Sequence, residues 1–110
     1  MYPSELYGGT LKYIDDVLIK YRGIPVKKVL IKDGDVLSAP KLTDEFVAQM
    51  KALPAVVLFE PVTNPTLYVF DAKRIIEEAN RISAVVIVDN TFTPLVIRPL
   101  DWGLTLSWIV

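Results

Sequence analysis

Apolar residues follow two rhythms along this chain. Leu11, Ile14, Leu18 and Tyr21 recur at intervals of three and four after Gly8, Gly9 and Thr10, with Asp15, Asp16 and Lys20 between them. That spacing predicts an amphipathic helix, which Gly23 and Pro25 end. Residues 26–31 are mostly β-branched or aliphatic and read as a strand, with Asp33, Gly34 and Asp35 as turn residues after it. A second helix is expected, capped by Thr43 or Asp44, with Phe46, Val47, Met50 and Leu53 as its stripe and Pro54 as its stop. Residues 55–59 and 84–88 are nearly all apolar and of strand length, the pattern of strands covered on both faces in a parallel sheet. Between them Asp71 is placed to cap a third helix whose Ile75, Ile76, Ala79 and Ile82 share a face. Strands alternating with amphipathic helices predict an α/β fold, doubly wound on a mostly parallel sheet.

Composition narrows the function. The length of 110 residues suits one small domain. A mean hydropathy of +0.37 is high for so short a chain, so part of its apolar surface is expected to lie against a partner. The net charge is −1 and only Lys27 and Lys28 are adjacent among the basic residues, which gives no footprint for nucleic acid. With neither cysteine nor histidine, disulfides, a thiolate nucleophile and the usual transition-metal ligand sets are excluded, and no metal site is expected. No apolar block is long enough to cross a bilayer, and residues 1–6 lack the basic start and apolar core of a signal peptide, so a cytoplasmic location without membrane contact is expected.

Candidate chemistry lies where the two apolar strands end, at Glu60 with Thr63 and Asn64, and at Asp89 with Asn90 and Thr91. Ligands of open α/β sheets gather beyond the carboxyl ends of the strands. A carboxylate at the end of a buried strand needs a cation or hydrogen-bond donors. Asp89 therefore either faces a positively charged ligand or caps its own turn.

Four segments, in order, narrow the choice: Tyr7-Gly8-Gly9-Thr10; Glu60 followed by Thr63-Asn64-Pro65-Thr66; Val88-Asp89-Asn90-Thr91-Phe92 with Thr93-Pro94; and Arg98-Pro99-Leu100 with Gly103. Together they resemble the Cys/Met-metabolism enzymes that use pyridoxal 5'-phosphate (PLP), among them cystathionine γ-synthase, cystathionine γ-lyase, cystathionine β-lyase and methionine γ-lyase. The resemblance implies part of the large domain of the aspartate aminotransferase-like PLP fold. It implies PLP as cofactor, with Asp89 paired to the pyridine nitrogen, the Tyr7 ring stacked on the cofactor, Asn64 near its phenolic oxygen and the substrate carboxylate, Thr91 beside the ring and Glu60 in a supporting place. Full-length relatives are expected to be homo-oligomers that carry out β- or γ-elimination or replacement on sulfur-containing amino acids.

The chain departs from that pattern. The family's Schiff-base lysine follows the segment matching Arg98 to Gly103, and none of the eight lysines here occupies its place, so no catalytic residue is assigned. The upstream glycine-rich phosphate segment and the C-terminal domain are also missing, and residues 1–110 are expected to be a large-domain piece truncated at both ends and inactive in isolation. After Gly103 the family continues with an Ala-Asp-Leu-Val-Val-like strand. Codons compatible with residues 104–110 yield that strand when read one base earlier, so the tail is expected to be a frameshifted reading. Two other readings stand beside the enzyme: a non-catalytic α/β remnant or protein-interaction module, and a small flavodoxin-like binder, which explains the alternation but not the four segments.

Overall fold

The computed structural model describes residues 1–32, 39–104 and, as backbone, 106–108. The turn expected at Asp33 to Asp35 lies outside them. The elements are β1 (Tyr2–Pro3), α1 (Gly8–Tyr13, continued by a π-type segment Ile14–Tyr21), β2 (Lys28–Val29), α2 (Ala39–Ala48, tightening to a 3-10 turn Gln49–Ala52), β3 (Val56–Phe59), α3 (Ala72–Arg81), β4 (Val85–Asp89), a 3-10 turn Pro99–Trp102, and β5 (Leu106–Trp108).

β1 pairs with β2, and β3, β4 and β5 form a second ladder in that order, all in parallel. Met1 joins the two: its ammonium donates to the Val56 carbonyl at 2.7 Å and its carbonyl accepts the Leu58 amide at 2.9 Å, the bond pair of a parallel ladder. Helices lie on both faces. Val57, Phe59, Val86 and Val88 point toward α2 and α3 and pack with Phe46, Met50, Phe70, Ile75, Ile76 and Ala79. Phe70 meets Phe46 at 5.6 Å and Phe59 edge-on at 6.2 Å between ring centroids. On the opposite face Leu58 packs against Tyr2, Leu6 and Ile14. No helix among the described residues is long and apolar enough to cross a membrane.

Several expectations needed correction. α2 starts at Ala39 with Pro40 in its first turn, where proline has no amide to lose, so Thr43 and Asp44 lie inside the helix and do not cap it. Thr43 is buried and its hydroxyl accepts the Asp71 amide at 2.8 Å, while Asp44 pairs with Arg74. Asp71 does cap α3, accepting the Arg74 amide at 3.1 Å. Leu53 leaves the α2 stripe because it adopts a left-handed backbone (φ 51°) at the helix end and is exposed. Tyr21 leaves the α1 stripe because the π-type winding, with the Arg22 amide bonded to the Val17 carbonyl, turns fewer degrees per residue than an α-helix. The strand expected over 26–31 reduces to Lys28–Val29. β3 and β4 alternate in burial, with Val56 and Val85 exposed, because α1 covers that face only in part.

Candidate functional site

The geometry follows from parity and register. Val57 and Phe59 face α2 and α3, so Glu60, one residue further, turns to the α1 side. The same alternation in β4 sends Ile87 and Asp89 to that side. Phe59 is in register with Val88, so the next residues, Glu60 and Asp89, stand side by side at the strand ends, with strands spaced about 5 Å apart. Tyr7 leads into α1 above them.

These residues enclose a cleft of about 300 Å³ lined by Tyr7, Glu60, Val62, Asn64, Asp89, Thr91 and Phe92. All five candidate residues read from the sequence lie in it. A second hollow continues past Tyr7 and Asp89 toward Gly9, Thr10, Tyr13, Leu58 and Ile87.

Each wall is held by local bonds. Glu60 is 4% exposed; its Oε1 accepts the Tyr7 amide at 2.7 Å and its Oε2 the Asn64 amide at 3.2 Å. Asn64 sits in a closed hairpin, where the Thr63 amide donates to the Tyr68 carbonyl at 3.0 Å, the Tyr68 amide to the Thr63 hydroxyl at 2.9 Å and the Phe70 amide to the Pro61 carbonyl at 2.9 Å; the Asn64-Pro65 bond is cis. Asp89 Oδ1 accepts both Thr91 donors, the amide at 3.1 Å and the hydroxyl at 2.6 Å. The turn-capping reading of Asp89 therefore holds, and it coexists with a place in the cleft. The Tyr7 ring lies across the first turn of α1, so close that a Cβ on Gly9 would fall 2.7 Å from its Cε1.

Charge in the cleft is one-signed. Burial pushes the Glu60 carboxyl above the usual carboxylate range and the neighbouring Asp89 charge adds to that, while the Tyr7 and Asn64 amides pull it the other way. With both Glu60 oxygens taken by backbone amides, the Asp89 carboxylate beside the exposed Tyr7 ring is the acceptor suited to a flat ring that carries a positive charge, as a protonated pyridine does. PLP fits these residues: Asp89 would meet the ring nitrogen and Tyr7 the ring face.

The reading of the sequence missed Val62 as a lining residue and gave no role to Asn90. Asn90 is 2% exposed and staples the following loop, donating to the Ile97 carbonyl at 2.8 Å and accepting the Thr93 hydroxyl at 2.8 Å. An asparagine directly after an apolar strand and three residues before a threonine is a signal for such a staple.

Residues 1–108 match the family of Cys/Met metabolism PLP-dependent enzymes. The chain belongs to that family. Cystathionine beta-lyase of Lactococcus lactis subsp. cremoris is 38% identical over 101 residues, 91% of this chain and 24% of that protein. The crystal structure of cystathionine gamma-lyase from Lactobacillus plantarum, complexed with L-serine, superposes with a TM-score of 0.69 at 28% identity, covering 94% of this chain and 25% of that one. A putative O-acetylhomoserine (thiol)-lyase from Campylobacter jejuni, which carries an N'-pyridoxyl-lysine-5'-monophosphate residue, gives a TM-score of 0.65 at 26% identity over 94% of this chain and 23% of that one. The chain thus spans about a quarter of the length of the Cys/Met PLP enzymes it matches. The family is PLP-dependent, and the chain shares the α/β fold of its solved members.

Proposed function

We propose that this chain is the cofactor-cradling part of a PLP enzyme that acts on sulfur-containing amino acids by β- or γ-elimination or replacement, and that residues 1–110 by themselves do not turn over substrate. The observation that carries the reading is the meeting of Asp89, Tyr7 and Asn64 in one cleft across two strand ends. Asp89 holds a proton on the pyridine nitrogen, Tyr7 covers the ring and excludes water from one face, and the Asn64 side chain binds polar groups at the ring edge. Thr91 holds the Asp89 carboxylate in place through two hydrogen bonds. PLP, when bound, supplies an electron-withdrawing ring for chemistry at the amino-acid α-carbon. The support for the isolated chain's inactivity is that, among the described residues, none of the eight lysines lines the cleft.

Titrating the purified chain with PLP and following absorbance tests this. Saturable binding weakened by both Asp89→Asn and Tyr7→Ala, with no stoichiometric adduct on any one lysine after borohydride reduction, is the expected result. Binding indifferent to both substitutions would overturn the cofactor site, and a single reduced lysine adduct would overturn the inactivity.

A docking role for the same chain is favoured by one further observation. Leu95 and Val96 are 96% and 82% exposed on the loop after β4, and Val56 and Val85 lie open side by side on the sheet. Apolar residues placed this way suit coverage by other polypeptide in the assembled enzyme. Sedimentation of the chain across a concentration series checks it: self-association that disappears in Leu95→Lys/Val96→Lys is expected, and a monomer at all concentrations counts against it.

A further inference from the structure

Glu60 touches both walls of the cleft from behind. Its carboxylate bonds to the amide of Tyr7, 53 residues earlier, and to that of Asn64, four residues later, so one side chain ties the start of α1 to the hairpin after β3. Both partners are donors. An ionised carboxylate presents an acceptor at each end, whereas the amide of glutamine would set its own N–H against one of the two. An apolar side chain would fill the space without the desolvation cost of a buried charge, but would leave the Tyr7 and Asn64 amides unpaired and their loops free to separate.

We infer that Glu60 is a positioning residue: its two hydrogen bonds set the distance between the Tyr7 ring and the Asn64 side chain, and hence the width of the slot offered to a flat heteroaromatic ligand. This rests on the reading of the cleft as a PLP site. Glu60 acts through Tyr7 and Asn64, leaving Asp89 to meet the ligand.

The test uses the full 110-residue chain, Glu60→Gln and Glu60→Ala, with PLP as the probe. In the unsubstituted chain the Tyr7 and Asn64 amides are expected to be protected from hydrogen exchange. In Glu60→Gln one of them exchanges faster by roughly tenfold or more, the PLP dissociation constant rises by about the same factor, and the induced circular dichroism of PLP changes at saturation because the ring sits differently against Tyr7. Free exchange of both amides in the unsubstituted chain overturns the inference without requiring any variant to fold. So does a Glu60→Gln chain whose saturated PLP spectrum and affinity are unchanged. If the unsubstituted chain fails to bind PLP but Glu60→Gln still shifts the Tyr7 ring and Asn64 side-chain resonances, the spacer role stands and the cofactor reading falls.

Discussion

Replacing Gly9 with alanine separates the chemistry of the cleft from the stability of the fold, because the two should move in opposite directions. The new Cβ would lie 2.7 Å from Tyr7 Cε1 and 3.3 Å from Cδ1, so the ring must retreat by roughly 0.7 Å or more before ordinary contact begins near 3.4 Å. Tyr7 is 58% exposed and its ring can swing toward solvent at little cost. Gly9 lies in α1, where alanine gains about 1 kcal/mol over glycine, and Gly9 is not among the residues with a left-handed backbone. Stability should therefore hold or rise by up to about 1 kcal/mol. PLP binding should weaken, since an offset aromatic stack contributes about 0.5–1.5 kcal/mol beyond buried area, or roughly 2- to 13-fold in the dissociation constant. Urea denaturation reads the first quantity and absorbance titration the second, with Tyr7→Phe as a control that keeps the ring and Tyr7→Ala as one that removes it. If Gly9→Ala binds PLP as well as the parent while Tyr7→Ala does not, the reasoning fails, because the ring's place would then not depend on the space above Gly9. A loss of stability beyond about 1 kcal/mol would refute it differently, by showing that the ring cannot move aside.

Asp89→Asn should keep the turn, since an asparagine oxygen still accepts the two Thr91 donors, but lose the charge facing a pyridinium; a stability change within about 0.5 kcal/mol and a PLP affinity lower by roughly 10- to 150-fold are expected from paired urea and PLP titrations. Because the folded-state pKa of Glu60 is raised above its ordinary value, the native chain holds that proton more tightly than the unfolded chain. Its contribution is therefore most favourable below the ordinary carboxylate range and declines as pH rises through the folded pKa, so the stability difference between parent and Glu60→Gln should narrow or shift in favour of the variant on going from acid to neutral pH, as denaturation midpoints at several pH values would show. Ile76→Ala removes a fully buried side chain between α3 and the sheet and should cost about 2–5 kcal/mol, a large part of the 5–15 kcal/mol typical of a whole domain; a urea midpoint close to the parent's would contradict the packing described for that helix.

The order of strands and helices from α1 to β4, the Asp71 cap, the α3 stripe and the family were legible in the residues themselves, whereas the two-residue β1 was not read. The elements rest on short-range signals, an apolar period or a capping side chain, and the family on four short motifs in a fixed order from Tyr7 to Gly103. The misreadings also share a cause. Thr43 has the chemistry of a helix cap, but Pro40 fits a first turn and starts α2 earlier, which frees the Thr43 hydroxyl to accept from Asp71 in another element. Tyr21 fits an α-helical stripe that the π-type winding does not follow. The all-apolar strands implied two covered faces, whereas coverage depends on what packs above them, and α1 leaves Val56 and Val85 open.

The sequence by itself determined which residues could form a cofactor site, because Asp89, Asn64, Thr91, Glu60 and Tyr7 carry their chemistry and their motif with them. Only the tertiary structure decided what they are to one another. The register of Phe59 with Val88 sets two carboxylates side by side, and strand parity turns both toward α1. The fold then brings Tyr7, 53 residues away, within hydrogen-bonding distance of Glu60. Spacing along a chain encodes which face a residue takes within its own element, but the pairing of elements far apart is set by how their buried faces fit, and that fit makes five scattered side chains into one cleft.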